Sequence, residues 1–183
     1  ILRIMNVGLF FGSFNPIHYG HINIAQDILD SGEVDEIWMV LSPKSPDKNL
    51  ILDVFSRYSL MQIALDNMHN IEISKIEFDM PTPNYTYHTL IKLSKKFPKI
   101  HFKIIMGQDN YDKINSWKEY KFIIDNYKII IYPREKKNQN NNFKLYDVSS
   151  SDVRNKIRKN ISIKGLVPER VEKEILKKKF YIK

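Results

Sequence analysis

The sequence alternates short, strongly apolar runs with longer segments whose apolar residues recur at helical spacing. The short runs predict strands, and the longer segments predict helices between them. Strands joined in this way need crossover connections, which build a parallel sheet covered by helices on both faces. We therefore predict an α/β fold with a doubly wound parallel sheet. The predicted strands are Val7–Phe11, Glu36–Leu41, Ile71–Ile76, Phe102–Met106 and Tyr127–Tyr132.

Helical segments continue beyond the last predicted strand, so we expect C-terminal helices as well. The last of them has Pro168 in its first turn, and its apolar side is predicted to hold Val171, Ile175 and Leu176. A chain of 183 residues suffices for one domain with a sizeable core, and we predict a single domain over residues 1–183. The predicted helices are Tyr19–Asp30, Val54–Asn67, Tyr85–Lys96, Trp117–Asp125, Ser151–Lys159 and Pro168–Lys179.

The composition excludes several classes of site. There are no cysteines, which excludes disulfides and thiolate metal sites and favours a reducing cytoplasm. No apolar stretch approaches the roughly 20 residues that span a bilayer, so no membrane partner is predicted. The net charge is +8, but the lysines are spread along the whole chain, as in solvated helix faces. We predict no nucleic-acid partner, although a basic chain also suits a triphosphate ligand.

The segment Gly12–His21 follows the first predicted strand and opens a predicted helix. Ligands of parallel sheets bind at the carboxyl ends of the strands, and a helix N-terminus there attracts anions. Gly12 is predicted to let the chain leave the strand in a conformation that other residues resist. His18 and His21 are three residues apart, which places both rings on one face of the first turn. With no third ligand in view they suit phosphate oxygens better than zinc, the alternative being that they only cap or pack.

The segment Val148–Arg154 is a second candidate anion site. It contains three consecutive serines, an aspartate and an arginine one turn into a predicted helix. Serine and aspartate favour helix N-caps, but one serine satisfies that need. Three hydroxyl groups and a guanidinium therefore predict a second cradle for phosphate oxygens. Nothing in the chain matches a P-loop, which argues against ordinary kinase or GTPase chemistry.

These two segments resemble the motifs of the nucleotidyltransferase superfamily, which are written (H/T)xGH and Ile-Ser-Ser-Thr-x-Ile-Arg. From about Met5 to Tyr181, the chain more closely resembles the bacterial nicotinate-nucleotide adenylyltransferases, which implies a Rossmann-like sheet. The first motif by itself also fits enzymes that act on phosphopantetheine or glycerol phosphate. The features that favour the nicotinate enzymes are Asn84-Tyr85-Thr86, Gly107 with Asp109, Trp117, Tyr132-Pro133-Arg134 and Leu166-Val167-Pro168.

The chain departs from the family pattern at several positions. The family often has Pro-Pro-His-Lys after the second strand, whereas Ser45–Lys48 here has an aspartate in place of the histidine. Asn15 stands where aspartate is common, and Ser151 where threonine is common. Residues Ile1–Ile4 precede the usual start of such chains, so we expect Met5 to be the native start and the first four residues to be an extension.

The resemblance implies adenylyl transfer from ATP to nicotinate mononucleotide, which gives deamido-NAD and pyrophosphate. A phosphate monoester is largely ionised at neutral pH, so the reaction needs no general base. Mg²⁺ is expected on the ATP phosphates, the protein itself supplying no metal ligand, and the resemblance leaves a homo-oligomer open. It implies catalytic roles for His18, His21 and Arg154, and ATP contacts for Gly12, Ser13, Phe14, Gly20, Gly107, Asp109, Ser150 and Ser151. It implies acceptor contacts for Tyr85, Thr86, Trp117 and Lys48.

Alternatives remain open for single residues and for the whole chain. Trp117 could be a core aromatic that opens a helix, Thr86 a helix N-cap, and Asp109 the cap of the next segment. A related nucleotidyltransferase for phosphopantetheine or a sugar or alcohol phosphate would have no use for Trp117 and Tyr85-Thr86. A non-enzymatic basic module would bind nucleic acid in a salt-sensitive way and release no pyrophosphate from ATP.

Overall fold

The computed structural model describes residues 4–44, 52–133 and 146–182. Strands and helices alternate along these residues as the apolar pattern predicts. The strands are β1 (Met5–Gly12), β2 (Glu36–Leu41), β3 (Ile71–Ser74), β4 (Ile100–Gly107) and β5 (Lys128–Tyr132). The helices are α1 (Tyr19–Asp30), α2 (Val54–Leu65), α3 (Thr86–Lys96), α4 (Gln108–Tyr111), α5 (Tyr120–Asn126), α6 (Ser150–Arg158) and α7 (Glu169–Lys178), with a 3₁₀ turn at Ile114–Ser116.

The five strands form one parallel sheet in the order β3-β2-β1-β4-β5. From β1 the chain builds outward through β2 to β3, and then returns to the other side of β1 to add β4 and β5. The order therefore reverses between β1 and β4. In open parallel sheets, a crevice forms at this point because the loops after the two strands lead to opposite faces.

Both faces of the sheet are buried, which confirms the doubly wound α/β prediction. Neighbouring residues of β1 point to opposite sides, so that Leu9 belongs to one apolar cluster and Phe10 to the other. Helices α1, α2, α6 and α7 pack on the face of Phe10, whereas α3 and α5 pack on the face of Leu9. Within the described part of the chain, no helix has both the length and the apolar character needed to cross a bilayer.

The structure differs from the sequence predictions at several positions. Trp117 does not open a helix: it follows the 3₁₀ turn in extended conformation, and α5 begins three residues later at Tyr120. Leu176 does not share the buried side of α7 with Val171 and Ile175, because its exposed fraction is 55%. Pro168 precedes α7 as its N-cap residue, and the short helix α4 was not predicted at all. The other boundaries agree within about two residues, the scatter that fraying helix ends produce.

Candidate active site

A cavity of about 440 Å³ lies at the carboxyl ends of β1 and β4, where the strand order reverses. It combines the end of β1, the loop after it, the first turn of α1 and the first turn of α6. The segments Gly12–His21 and Val148–Arg154, which the sequence predicts as anion sites, therefore line one cavity. His18 and Arg154 are 136 positions apart in the chain. Its wall is formed by Phe10, Phe11, Gly12, Ser13, Phe14, Asn15, His18, His21, Ile104, Ile105, Met106, Asn110, Trp117, Tyr132, Ser149, Ser150, Ser151 and Arg154.

The loop after β1 turns at Phe14, and not at Gly12 as the sequence suggested. Gly12 belongs to the strand, whereas Phe14 has a positive φ of 43°. The ring of Phe14 folds back over Gly12, where an added Cβ would lie 2.9 Å from the ring Cζ atom. Glycine is thus required at position 12 by the close approach of an aromatic ring rather than by its backbone conformation. The buried Phe14 ring in turn packs edge-on against His21, with 5.0 Å between the ring centroids.

His18 and His21 lie against each other at the start of α1. Their ring centroids are 3.7 Å apart, and the ring planes differ by 30°. His21 Nδ1 accepts the backbone N–H of His18 at 3.3 Å. Because Nδ1 acts as an acceptor, the proton of a neutral His21 ring lies on Nε2, which can then donate to an anion. The pair combines two imidazoles with the positive end of a helix on the cavity wall.

The serines before Arg154 make different contacts. Ser149 is the N-cap residue of α6, and its hydroxyl oxygen accepts the N–H of Asp152 at 3.1 Å. The Ser150 hydroxyl donates to the carbonyl of Pro16 at 2.8 Å, which joins α6 to the loop after β1. The capping role that competed with phosphate binding is therefore filled by Ser149 alone, and Ser150 and Ser151 remain on the wall of the cavity.

Arg154 lies one turn into α6 with its guanidinium at the same loop. It donates to the Asn15 carbonyl at 2.7 Å and to the Ser151 hydroxyl at 3.1 Å. Its buried Nε has no hydrogen-bond partner among the described residues. Burial lowers the pKa of Arg154, and the nearby positive charge of Arg158 lowers it further. The electrostatic interaction with Tyr181 raises the pKa of Arg154 and so opposes this change. A guanidinium still stays protonated at neutral pH, so Arg154 places a positive charge on the cavity wall.

The residues expected to contact the acceptor lie beside the cavity. Trp117 forms part of the wall. Tyr85 is the N-cap residue of α3 and Thr86 its first residue, and neither belongs to the wall. Lys118, the residue after Trp117, connects Trp117 with the start of α3, because its ammonium lies 5.0 Å from the centre of the Tyr85 ring. The Trp117 segment and the N-terminus of α3 are therefore neighbours at one side of the cavity.

The start of α3 rests on the buried carboxyl group of Glu77. The Thr89 hydroxyl donates to Glu77 Oε1 at 2.7 Å. Asn84 Oδ1 accepts the backbone N–H of Lys44 at 3.2 Å, and the backbone N–H of Asn84 donates to the Lys44 carbonyl at 2.9 Å. Burial raises the pKa of Glu77, and the hydrogen bond from Thr89 opposes the rise. These contacts attach the N-terminus of α3 to the loop that follows β2.

The remaining predicted residues are placed differently. Gly20 is buried within α1, where an added Cβ would lie 2.9 Å from His18 Nδ1 and Cε1. Gly107 ends β4 and follows the wall residue Met106, and Asp109 is exposed on α4 and precedes the wall residue Asn110. Neither Gly107 nor Asp109 belongs to the wall itself. Lys48 lies outside the described residues, as do Arg134 and the asparagine-rich segment 138–142.

Sequence reasoning missed Arg57, whose exposed fraction is 0%. Its guanidinium donates to the carbonyls of Ser13, Ser42, Pro43 and Leu52 at 2.6 to 3.0 Å. It therefore holds the loop after β1 against the loop after β2. A signal was present, since Arg57 stands three, four and eight residues before Leu60, Met61 and Leu65, the buried apolar residues of α2, and so shares their side of the helix.

The chain is similar to several known proteins. Residues 9–156 match the family model described as cytidylyltransferase-like. A probable nicotinate-nucleotide adenylyltransferase of Flavobacterium psychrophilum is 37% identical over 193 residues, covering 98% of this chain and all of the relative. One of Cytophaga hutchinsonii is also 37% identical, covering 97% of this chain and 98% of the relative. The chain belongs to the nicotinate-nucleotide adenylyltransferase family. The resemblance drawn from short motifs is thereby confirmed over nearly the whole chain.

Solved structures of nicotinate-nucleotide adenylyltransferases share the fold at low sequence identity. A structure described as a putative enzyme of this type from Vibrio parahaemolyticus has a TM-score of 0.77 at 20% identity, covering 94% of this chain and 99% of the other. The nicotinic acid mononucleotide adenylyltransferase of Plasmodium falciparum, solved with NaAD, has a TM-score of 0.78 at 22% identity and covers 97% of both chains. At these identities the likeness confirms the Rossmann-like architecture.

Proposed function

We propose that the protein transfers the adenylyl group of ATP to nicotinate mononucleotide, giving deamido-NAD and pyrophosphate. One observation carries the proposal: the first turn of α1, the first turn of α6 and Trp117 all line a single cavity at the switch point of the sheet. The two helix turns supply cationic and polar groups for a polyphosphate, and the indole supplies a flat face for a heterocycle.

The chemistry is a substitution at the α-phosphorus of ATP. A phosphate oxygen of nicotinate mononucleotide forms the new bond to the α-phosphorus, and the bond from that phosphorus to the oxygen bridging the β-phosphorus breaks. Pyrophosphate leaves with the bonding electron pair. The attacking phosphate has its second pKa near 6, so it is already largely a dianion at pH 7. The protein therefore has no proton to remove and acts by positioning the reactants and stabilising charge.

His18, His21 and Arg154 are the groups that stabilise this charge. Negative charge builds up on the oxygens around the α-phosphorus and on the leaving pyrophosphate. The two imidazoles, the guanidinium and the first turns of two helices already line that space before the substrate arrives, so little reorganisation is needed during the reaction. Gly12, Ser13 and Phe14 line the same cavity, where their main chain could approach the nucleotide.

Mg²⁺ would be held mainly by the ATP phosphates. The cavity wall contains two histidines and one arginine but no carboxylate, and no group of three or more potential ligands occurs among the described residues. Such a wall fits an ion that arrives with the triphosphate and keeps several waters, as Mg²⁺ commonly does. When bound there, the ion neutralises phosphate charge in addition to the protein's own cationic groups.

Specificity for the acid form of the acceptor is assigned to Trp117 and the start of α3. The indole can stack on the pyridine ring, and the N-terminus of α3 with the Thr86 hydroxyl can bind its carboxylate. The uncharged amide gains nothing from the helix dipole. We therefore expect a higher kcat/KM for nicotinate mononucleotide than for its amide, by about tenfold or more if a single charge-assisted hydrogen bond is lost.

Pyrophosphate release from ATP and Mg²⁺ tests the proposal with a panel of acceptors: nicotinate mononucleotide, its amide, phosphopantetheine and glycerol 3-phosphate. The wild-type protein should release pyrophosphate fastest with the first. His18→Ala should lower kcat by about 10²–10³, the size of effect seen when a preorganised charge-stabilising donor is removed. The matched control is His69→Ala, since His69 is exposed just before β3, and its kcat should stay near the wild-type value.

Each outcome of this panel decides between the hypotheses. Faster release with phosphopantetheine or glycerol phosphate would reassign the acceptor. Salt-sensitive nucleic-acid binding without any pyrophosphate release would contradict the enzymatic function and favour a nucleic-acid-binding module. Three expectations stay predictions: that the protein has a cytoplasmic location, that it can form a homo-oligomer, and that it has no nucleic-acid partner.

A further inference from the structure

Asn15 lies in the loop that forms the cavity wall, and its side chain is held from the far end of the chain. The hydroxyl of Tyr181 donates to Asn15 Oδ1 at 2.7 Å, across 166 positions of sequence. Both residues are buried, with exposed fractions of 3% for Asn15 and 4% for Tyr181. A buried polar group without a partner costs about 1–3 kcal/mol, so this bond strongly constrains the Asn15 side chain.

Two cationic groups hold the main chain of the same loop. Arg154 donates to the Asn15 carbonyl at 2.7 Å, and Arg57 donates to the Ser13 carbonyl at 2.6 Å. Burial raises the pKa of Tyr181, and the charges of Arg154 and Arg57 oppose the rise only in part. The phenol is therefore protonated at neutral pH and acts as a donor. Asn15 thus receives a hydrogen bond on its side chain from Tyr181 and another on its main chain from Arg154.

The chain after α7 makes an unfavourable turn to reach this position. Lys179 and Tyr181 have positive φ values of 54° and 66°. The left-handed region costs a residue with a side chain roughly 1–2 kcal/mol. Phe180 donates its backbone N–H to the Ile175 carbonyl at 3.0 Å, which directs the chain back over the end of α7. This turn carries the Tyr181 hydroxyl into the loop beside the cavity.

We propose that Tyr181 is a positioning residue of the active site. Its hydroxyl fixes Asn15, Asn15 presents its carbonyl to Arg154, and Arg154 is thereby held at the cavity wall. Tyr181 does not belong to the cavity wall, so we assign it no contact with the reactants. The proposal rests on the proposed function for its turnover readout, but the placement of Arg154 also affects ATP binding, which is measured without an acceptor.

Tyr181→Phe is the main variant, because it removes one oxygen and keeps the buried ring. The matched control is Tyr127→Phe, since the Tyr127 hydroxyl makes a 2.8 Å hydrogen bond to Ser94 on the opposite face of the sheet. Misplacement of a charge-stabilising group should lower kcat of Tyr181→Phe about tenfold while KM for nicotinate mononucleotide stays within about twofold. Tyr127→Phe should keep kcat within about twofold of wild type. A purely structural role for Tyr181 predicts lower stability with unchanged kcat per folded molecule.

A double-mutant cycle with Arg154→Ala tests whether Tyr181 acts through Arg154. If it does, adding Tyr181→Phe to Arg154→Ala should change kcat by less than about twofold, because the group that it positions is already absent. Multiplicative effects in the cycle, or wild-type kcat in Tyr181→Phe, would overturn the proposal. If the wild-type protein does not use nicotinate mononucleotide, the proposed function fails on its own, and the same cycle is measured on the Kd for ATP by calorimetry. Tyr181→Phe should then weaken ATP binding and Tyr127→Phe should not, and equal affinities would overturn the positioning role.

Discussion

Gly20 has no side chain, yet it determines where the His18 ring lies. The ring occupies the space into which a Cβ atom at position 20 would project, and Val148 approaches the same point from the other side. A methyl group there would lie 2.9 Å from each neighbour, closer than carbon atoms come in folded proteins. The second glycine of the Gly12–His21 segment therefore acts through a histidine rather than through direct contact with the cavity.

Gly20→Ala should accordingly reduce catalysis without unfolding the protein. Displacement of His18 by a few tenths of an ångström or more should lower kcat by roughly 10- to 100-fold. The matched control is Gly32→Ala, where φ is +72° and no atom lies within 4 Å of the added Cβ. That variant should lose about 1 kcal/mol of unfolding free energy and keep its kcat. Steady-state pyrophosphate release and urea unfolding measure both quantities, and equal kcat values for the two variants would contradict this role of Gly20.

At the scale of elements, helix N-termini organise this end of the molecule. Helix α1 begins after His18 and α6 begins after Ser149, and the first turns of both meet at the cavity. Helix α2 begins after Asp53, whose carboxylate accepts the backbone N–H groups of Phe55 and Ser56 and the hydroxyl of Ser56. This cap sets the start of the helix that carries Arg57 into the core.

Asp53→Ala should destabilise the protein in a pH-dependent way. The hydroxyl and backbone N–H of Ser56 lower the pKa of Asp53 from its ordinary value of 3.8, and burial opposes them slightly. A lowered pKa means that the stabilisation is complete well above pH 3.8 and is lost as the pH falls through the folded-state pKa. We expect a loss of about 1 kcal/mol at pH 7.

The measurement is the free energy of unfolding from pH 7 down to the acid limit of the fold. The difference between wild type and Asp53→Ala should shrink below pH 3.8. Asp125→Ala, which changes an exposed aspartate within α5, serves as the control and should stay within about 0.5 kcal/mol of wild type. A difference that does not depend on pH would show that the carboxylate charge has no part in the cap.

For the whole molecule, Arg57 joins parts of the chain that the sheet order places side by side. Strands β1 and β2 are neighbours, with Gly12 opposite Leu41, so the loops that follow them emerge together. The guanidinium bonds to both loops and to the segment before α2. Burial lowers the pKa of Arg57, while Tyr181 and Asp53 act in the opposite direction. A buried charge of this kind is stable only because its hydrogen bonds are satisfied.

Arg57→Lys should show how much this geometry contributes to stability. An ammonium keeps the charge but lacks the planar fork that reaches several carbonyls at once, so some of the four acceptors lose their partner. We expect the unfolding free energy to fall by about 2–3 kcal/mol in urea titration. Arg158→Lys, at the exposed end of α6, should change it by less than about 0.5 kcal/mol. Similar values for the two substitutions would mean that the buried network adds no stability of its own.

Much of the element order could be predicted because it depends on local pattern. Helix α1 and strand β2 have the predicted bounds, since the apolar period changes sharply at their ends. The sequence predicts a helix that begins at Trp117, whereas in the structure Trp117 follows the 3₁₀ turn in extended conformation. Gly12 was assigned a special backbone conformation because a glycine after a strand often has one, whereas the nearby Phe14 ring is the actual reason. The direction in which a nearby ring such as that of Phe14 folds cannot be inferred from spacing along the chain.

The sequence by itself determined the doubly wound architecture, the two segments that form the cavity and, through its likeness to relatives, the family. These follow from residue period and from short motifs, whose information is local. Only the tertiary structure decided that Arg57 and Tyr181 hold the loop after β1, that Gly20 makes room for His18, and that Ser149 alone caps α6. The contacts of Arg57 and Tyr181 join residues that lie far apart in the chain, whereas the places of the His18 ring and of the Ser149 hydroxyl depend on backbone conformation that residue spacing does not specify. Packing of the whole chain determines both.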